Sequence, residues 1–429
     1  MKLLCVGYYD KFSRFFIGIH KEIKEQLPFS EIKLVSLYTS GFLYSALRMY
    51  SSVNIPFKAW FKVLIHYKSY NLKLRQSNTD LDDLISYKLR EYKKLKAKPI
   101  KLLALAYIDI YTKIFNQFRP DVLCCVGDSR LAVKIAIAIA KEKKIPCYFI
   151  EIGPFQTTIF DSVGVNANAS INTEKLISQL PESKFQNLSE IFQNRPETKK
   201  AYNRSPIYRG IDYSLGALLN RTKLYPPDLA YQHPTFNGQR NSIHAPLKQN
   251  KYLLIGQVPD DVNMSYHSPH FDNFETLLKT VYQQLPENSS LSFREHPHFT
   301  GKHKKEFYTF ITKNKINLDN HTPLDELVTS HDIIVVNNST VGLESMAKLK
   351  TVVVLGNAYY ALPELCLQIK NICQLKTVLN QALSFRPKAK IATQYFDYLL
   401  NTYFIAGRLI DKDQKSAKKI AHLLMEKHA

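Results

Sequence analysis

The chain has 429 residues, 45% of them hydrophobic, which is too long for one ordinary α/β core and gives apolar surface enough for two. Its formal net charge of +21 calls for a polyanionic neighbour or a strongly anionic ligand: nucleic acid, an acidic membrane leaflet or a phosphorylated substrate. No stretch supplies the roughly 18 uninterrupted apolar residues of a membrane span, since the most apolar run, Leu131 to Ala140, is closed by Lys141, Lys143 and Lys144.

Taken in chain order, Lys2 to Tyr8 predicts a first buried strand, because the opening turns polar at Asp10 and Lys11 before a secretory apolar region could finish. Phe12 to Glu25 follows as a helix and Ile32 to Leu37 as a second strand. Between Phe57 and Phe118 the basic residues Lys58, Lys62, Lys68, Lys73, Arg75, Lys93, Lys94, Lys96, Lys98 and Lys101 are interleaved with Trp60, Phe61, Tyr67, Tyr70, Tyr87 and Tyr92. That is the composition of a surface that docks on an anionic membrane. A solvated helical face with core aromatics has the same composition, so both readings stay open. Asp121 to Val126 is a continuous apolar run, Gly127-Asp128-Ser129 a tight turn with an N-cap, Arg130 to Lys144 a helix and Ile145 to Ile150 a strand. Together they predict a right-handed βαβ unit.

The stretch from 172 to 249 is polar and rich in proline (Pro181, Pro196, Pro206, Pro226, Pro227, Pro234, Pro246), which predicts helices and connections. At Lys251 the rhythm restarts: strand Tyr252 to Ile255, helix Phe271 to Gln284, strand Ser290 to Arg294, helix Leu324 to Thr329, strand Ile333 to Val336, helix Thr340 to Ala347, strand Thr351 to Leu355. Gln414 to Lys427 closes the chain as a packing helix. The expected organisation is an N-terminal Rossmann-like domain over 1–170 with a helical insertion at about 40–118, a connection over 171–249, a second Rossmann-like domain over 250–400 and a terminal helical segment over 401–429. Two doubly wound domains suggest a glycosyltransferase of GT-B type, with the ligand in the cleft between them at the carboxyl ends of the strands. Cys5, Cys124, Cys125, Cys147, Cys366 and Cys373 show neither a CxxC pair nor a Cys/His metal spacing, which predicts free thiols in a reducing cytoplasm and no structural zinc.

Polar residues crowd the strand ends of the second half: Gly256-Gln257-Val258-Pro259-Asp260-Asp261, Arg294-Glu295-His296-Pro297, Asn337-Asn338-Ser339-Thr340-Val341-Gly342-Leu343-Glu344, and Gly356. Each suits part of a nucleotide-sugar site. Ser339 and Thr340 open a helix, where unpaired N–H groups favour a phosphate, and Gly342 would let a ligand approach the backbone; plain N-capping is the other reading. Glu344, one turn beyond Thr340, suits ribose hydroxyls or a capping contact. His296, fixed by Pro297, suits a donor to a departing phosphate or a structural role, and Arg294 shares its side of the strand.

These motifs, with Val353-Val-Leu-Gly356 and Tyr359-Tyr360 after them, resemble the capsule-polysaccharide family of retaining β-Kdo transferases, to which O-antigen-terminating β-Kdo transferases are related. The His-Pro element is also similar to that of bacterial sialyltransferases. In the first half, Phe149-Ile-Glu151-Ile-Gly153-Pro154, with Thr157, Thr158, Asp161 and Gly164 to Ser170, resembles that family's Glu-x-Gly segment. The resemblance covers about 120–170 and 250–365. It implies CMP-β-Kdo as donor substrate, retention through a covalent sugar–enzyme adduct, and a carboxylate nucleophile with a separate acid or base. By the resemblance, Asp261 of the Gln-x-x-x-Asp element stands at the nucleophile position with Asp260 beside it, Glu151 is the base, and Gln257, Arg294, Pro297, Asn338, Ser339, Thr340, Gly342, Glu344 and Gly356 lie around the CMP-sugar. Many members carry an acidic or amide residue after the Glu, where this chain has Ile152.

The resulting expectation is a cytoplasmic enzyme peripherally associated with the inner membrane, with a glycolipid, phospholipid or oligosaccharide acceptor, no separate cofactor, no metal and no nucleic-acid partner. Two alternatives remain: a transferase for another CMP-nonulosonate such as sialic acid, and, on the charge alone, a non-catalytic polyanion-binding protein that would bind nucleic acid in a steeply salt-dependent way.

Overall fold

Continuous apolar runs of strand length bury both faces only when helices cover both sides of a sheet. Val122–Val126, Ile333–Val336 and Thr351–Val354 are such runs, buried at every residue. The structure, a computed structural model, describes residues 1–76, 80–91, 96–172, 175–193, 201–219, 243, 248–259 and 261–428. The chain divides into two α/β units, and both sheets are wound in Rossmann order, so the fold is α/β with two Rossmann-like units, the make-up of the GT-B type.

Unit 1 comprises Met1–Val165, Glu197–Tyr231 and Tyr403–Ala429. Its strands are β1 (Lys2–Gly7), β2 (Glu31–Ser36), β3 (Ser51–Asn54), β4 (Val122–Val126), β5 (Cys147–Ile152) and β6 (Thr157–Asp161). The order is β6-β5-β4-β1-β2-β3, with the short strand Ile405–Ala406 beyond β6. Strands β1 to β5 are mutually parallel, while β6 runs antiparallel to β5 and pairs Ile159 with Glu151. Helix Asp10–Gln26 buries Phe12, Phe15, Phe16, Ile19 and Ile23 at helical spacing, and Ala417, Ile420 and Leu424 of helix Lys415–His428 belong to the same core.

The segment expected as connection divides between the units, and the terminal helix belongs with unit 1. A buried ionic cluster explains the first attachment. Arg204 donates from Nε to Asp10 (2.6 Å) and from NH2 to Asp212 and Ser40, while Ser40 donates to Asp212 through N–H (2.9 Å) and hydroxyl (2.6 Å). Asp10 and Asp212 are both buried, so helix Pro206–Leu219 is pinned to the carboxyl edge of β1 and β2 by charge-assisted bonds out of water.

The helical insertion consists of helices Ile55–Ile65, Tyr67–Gln76, Leu81–Glu91 and Ala97–Phe118, the last burying half of its residues. Tyr70 and Tyr87 are core residues, whereas Phe61 and Tyr67 stand exposed, so the aromatics fall on both sides of the two expectations. Lys101 pairs with Asp82 at 2.8 Å; Tyr92, Lys93 and Lys94 lie outside the described residues. No described helix is long and apolar enough to cross a membrane.

Unit 2 comprises Asn166–Pro196 and Gln232–Thr402. Its strands are β7 (Asn250–Ile255), β8 (Ser289–Arg294), β9 (Asn317–Leu318), β10 (Ile333–Val336), β11 (Thr351–Val354) and β12 (Leu367–Gln368). All are parallel in the order β12-β11-β10-β7-β8-β9. The order reverses between β7 and β10, so the loops leaving these two strands diverge and open a crevice at their carboxyl ends. Helix Lys305–Lys313, which the sequence reading did not include, buries Phe307, Tyr308 and Ile311 beside β8 residues in the core.

Candidate functional site

Gln257 leaves β7 and Asn338 leaves β10, one on each side of the switch point. They are bound to each other: Gln257 Nε2 donates to Asn338 Oδ1 (3.0 Å), and Asn338 N–H donates to Gln257 Oε1 (3.4 Å). Asn338 Nδ2 donates in turn to the carbonyls of Asn263 (2.8 Å) and His267 (3.1 Å). This knot is buried and uses the amide groups on one another and on the 261–268 loop, which is how close-packed polar groups survive out of water. Gly356 belongs to the same knot. Its N–H donates to Asn337 carbonyl (2.8 Å), and a Cβ there would stand 2.8 Å from Asn337 Oδ1.

At the end of β8, Arg294, Glu295, His296 and Pro297 part company. Arg294 NH1 donates to the carbonyls of Asp319 (3.1 Å) and Thr322 (2.8 Å), fixing the turn after β9. Glu295, which the sequence reading quoted without a role, is buried to 1% exposure. It accepts from Tyr308 Oη (2.6 Å), Asn320 Nδ2 (2.6 Å) and Gly301 N–H (3.2 Å), and burial nevertheless leaves its carboxyl above the usual range. Its signal was visible as an acidic residue on the inward side of a strand end, where only a ring of donors can hold it. Glu295 thereby anchors the turn Pro297–Phe299 that His296 begins.

His296 Nδ1 accepts the backbone N–H of His298 at 3.1 Å. That bond requires an unprotonated Nδ1, so the neutral ring carries its proton on Nε2 and is a hydrogen-bond donor there. Burial first, and the His298 ring second, hold its pKa below the ordinary histidine value; the Asp261 charge acts the other way. Pro297 is exposed at the first position of the turn. Gly256 brings the β7 loop against this group: its N–H donates to Arg294 carbonyl (2.7 Å), and a Cβ would meet that oxygen at 2.8 Å and His296 N at 3.2 Å.

Asp261 is exposed and N-caps the short helix Val262–Ser265, with Oδ1 accepting from Asn263 N–H at 2.8 Å. Oδ2 has no hydrogen-bond partner among the described residues, which leaves one carboxylate oxygen open. Asp260 lies outside the described residues.

Ser339 caps helix Thr340–Met346 by accepting Val341 N–H at 3.3 Å, and Thr340 is exposed. The expected role of Gly342, close approach of a ligand to the backbone, gives way to packing. A Cβ there would stand 2.5 Å from Tyr360 Oη and 2.9 Å from Val336, because Tyr360 reaches over this glycine to donate to Ser339 carbonyl. Glu344 is half-buried and has no hydrogen-bond partner among the described residues. Burial, then Asp325, raise its pKa; burial first, and the Glu344 charge second, raise that of the Tyr359 phenol, whose hydroxyl also has no hydrogen-bond partner among the described residues. A groove of about 440 Å³ elsewhere in unit 2, between Ser183–Leu188 and helix Ala389–Tyr398, contains none of these residues.

In unit 1, Glu151 sits near the carboxyl end of β5 with Oε1 accepting from Ile152 N–H at 2.9 Å. Its charge is felt by Tyr8 and by Lys11, whose ammonium is lowered by burial, Arg204 and Arg209 in that order. Among the described residues no three His, Cys, Asp or Glu side chains converge as a metal site.

A family model described as capsule polysaccharide biosynthesis protein matches residues 121–409, from β4 of unit 1 through all of the unit 2 sheet. This chain belongs to that family. Protein FixF of Sinorhizobium fredii is 27% identical over 334 residues, covering 75% of this chain and 69% of that protein. The capsule polysaccharide export protein KpsS of Escherichia coli is 23% identical over 322 residues, covering 67% and 78%. Among solved structures, the β-Kdo 2,7 transferase region of Thermosulfurimonas dismutans KpsC superposes with a TM-score of 0.40 at 15% identity, covering 78% of this chain and 98% of that one. The helical insertion lies before the matched stretch of this capsule family chain.

Proposed function

We propose that this protein is a retaining glycosyltransferase that moves β-Kdo from CMP-β-Kdo to a lipid or oligosaccharide acceptor in capsule or lipopolysaccharide synthesis, at a membrane with which it associates peripherally. The observation that carries the reading is the pair at the carboxyl edge of unit 2: a neutral His296 whose proton the His298 bond assigns to Nε2, and an exposed Asp261 whose charge reaches it. Such a pair supplies both needs of a first displacement, a nucleophile and a donor for the leaving oxygen.

In the first step an Asp261 oxygen forms a bond to the anomeric carbon as the bond to the CMP phosphate oxygen breaks. The electron pair leaves with the phosphate, where a hydrogen bond from His296 stabilises it. In the second step Glu151 takes the proton of the acceptor hydroxyl, whose oxygen attacks the anomeric carbon and releases Asp261. Two inversions give retention. Gln257, Asn338 and Gly356 act as the frame of the crevice, and Glu344 is the group left free for the ribose hydroxyls. The test is incubation with CMP-Kdo and, separately, CMP-sialic acid without acceptor, followed by intact-protein mass spectrometry. An added Kdo mass supports the reading; a sialyl adduct reassigns the donor, and no adduct with either donor overturns the double displacement.

A further inference from the structure

Helix Ile55–Ile65 buries one face and leaves an apolar one outside. Ile55, Ala59 and Val63, four residues apart, are fully buried, and the helix packs on Ala97–Phe118. A surface helix then turns polar residues to water. Here Phe57, Phe61, Leu64 and Ile65, spaced i, i+4, i+7 and i+8, remain 43%, 53%, 43% and 59% exposed, and Leu72 on the next helix 57%. Single exposed apolar residues need no explanation, but a contiguous stripe does.

The charges around the stripe that have no acidic partner among the described residues are of one sign. Lys62 and Lys73 both pair with Asp109, which leaves Lys58 and Lys113, each exposed and without an acidic partner among the described residues. Lys58 is depressed by partial burial and then by Lys113, Lys33 and Lys62, so these ammonium groups stand close together. A second copy placed on this face would oppose lysine to lysine. A leaflet with anionic headgroups accepts the apolar side chains and the ammonium groups at once.

We propose that the outer face of helix Ile55–Ile65 is a membrane-insertion element, with Phe57, Phe61, Leu64 and Ile65 entering the acyl boundary of an anionic leaflet and Lys58 and Lys113 lying among its phosphate headgroups. It deepens the reading that the acceptor is membrane-associated, and it is tested with neither donor nor acceptor present, so that its failure leaves the transfer chemistry standing.

The sole tryptophan, Trp60, lies on this helix with its ring 5.6 Å from that of Phe57 and reports the contact directly. With vesicles of phosphatidylglycerol and phosphatidylethanolamine, the emission should shift to the blue and be quenched by bromine on the acyl chains. A Phe61→Ser/Ile65→Ser variant should bind these vesicles at least tenfold more weakly, with an unchanged thermal melt. Lys58→Gln and Lys113→Gln should each weaken binding about fivefold at low salt. Binding without bromine quenching, equal binding of the serine variant, or a solution dimer that the serine variant dissociates would each overturn the proposal.

Discussion

On the proposed chemistry His296 has two separable roles, cap of a turn and donor to the leaving phosphate, and two substitutions pull them apart. Asparagine keeps an acceptor near the Nδ1 position, able to cap the turn Pro297–Phe299 through His298 N–H, but has nothing at Nε2. Glutamine places an N–H near Nε2 and loses the cap. Losing a cap costs about 1 kcal/mol, which in a unit of this size moves Tm by about 2–4 °C. Losing a preorganised donor to the leaving phosphate costs about 10²–10³ in turnover. Release of CMP from CMP-Kdo in the presence of acceptor, paired with thermal melts, should therefore show His296→Asn near wild-type stability and at least 100-fold slower, and His296→Gln less stable and much less impaired. The pH response follows from the same bond. Because the folded pKa lies below the ordinary histidine value of about 6.5, the neutral ring contributes stability that is present above that value and lost as pH falls through the folded pKa, when Nδ1 must release His298. Turnover should be level above neutrality and drop on the same acid limb. A stable asparagine variant with full turnover would refute the donor role.

Asp261→Asn should fold, bind CMP and form no Kdo adduct by mass spectrometry; full transfer would move the nucleophile to Asp260. Glu344→Gln should raise the KM for CMP-Kdo about tenfold, the order of one hydrogen bond to a charged group, without lowering Tm, since the carboxylate has no partner to lose among the described residues. Arg204→Ala should destabilise unit 1 by about 3–5 kcal/mol in urea unfolding, because it strands the buried carboxylates of Asp10 and Asp212; a variant within 1 kcal/mol of wild type would show that they take up protons or water instead.

The two sheets were legible because their central strands are unbroken apolar runs, Val122–Val126 and Ile333–Val336 among them, that alternate with helical segments, as in a parallel sheet covered on both faces. What escaped has long-range causes. Strand Thr157–Asp161 is defined by antiparallel pairing to β5, and Ile405–Ala406 by pairing to that strand from nearly 250 residues away; neither leaves a periodicity in the chain. At the site, alternation along β8 correctly separates Glu295 from its neighbours, yet it says nothing of how far a long side chain travels. Arg294, grouped with His296 by alternation, spends NH1 on two carbonyls, and the glycine expected to admit a ligand at 342 admits Tyr360.

The loss of Arg294 NH1 to the fold bears on how a phosphate would be met. The donor's phosphodiester carries one negative charge and the departing CMP two, so the useful interaction is the one that strengthens as the second charge appears. A fixed cation attracts both states and lowers KM along with the barrier. A neutral imidazole N–H, held in place by the bond from His298 and the anchorage of Glu295 beneath it, gains most of its strength as the oxygen becomes anionic. On the proposed chemistry the effect of His296 therefore belongs in kcat and that of Glu344 in KM. If His296→Asn instead raised KM with kcat unchanged, the ring would be binding the ground state, and the donor of the departing oxygen would have to be sought in another residue of this crevice.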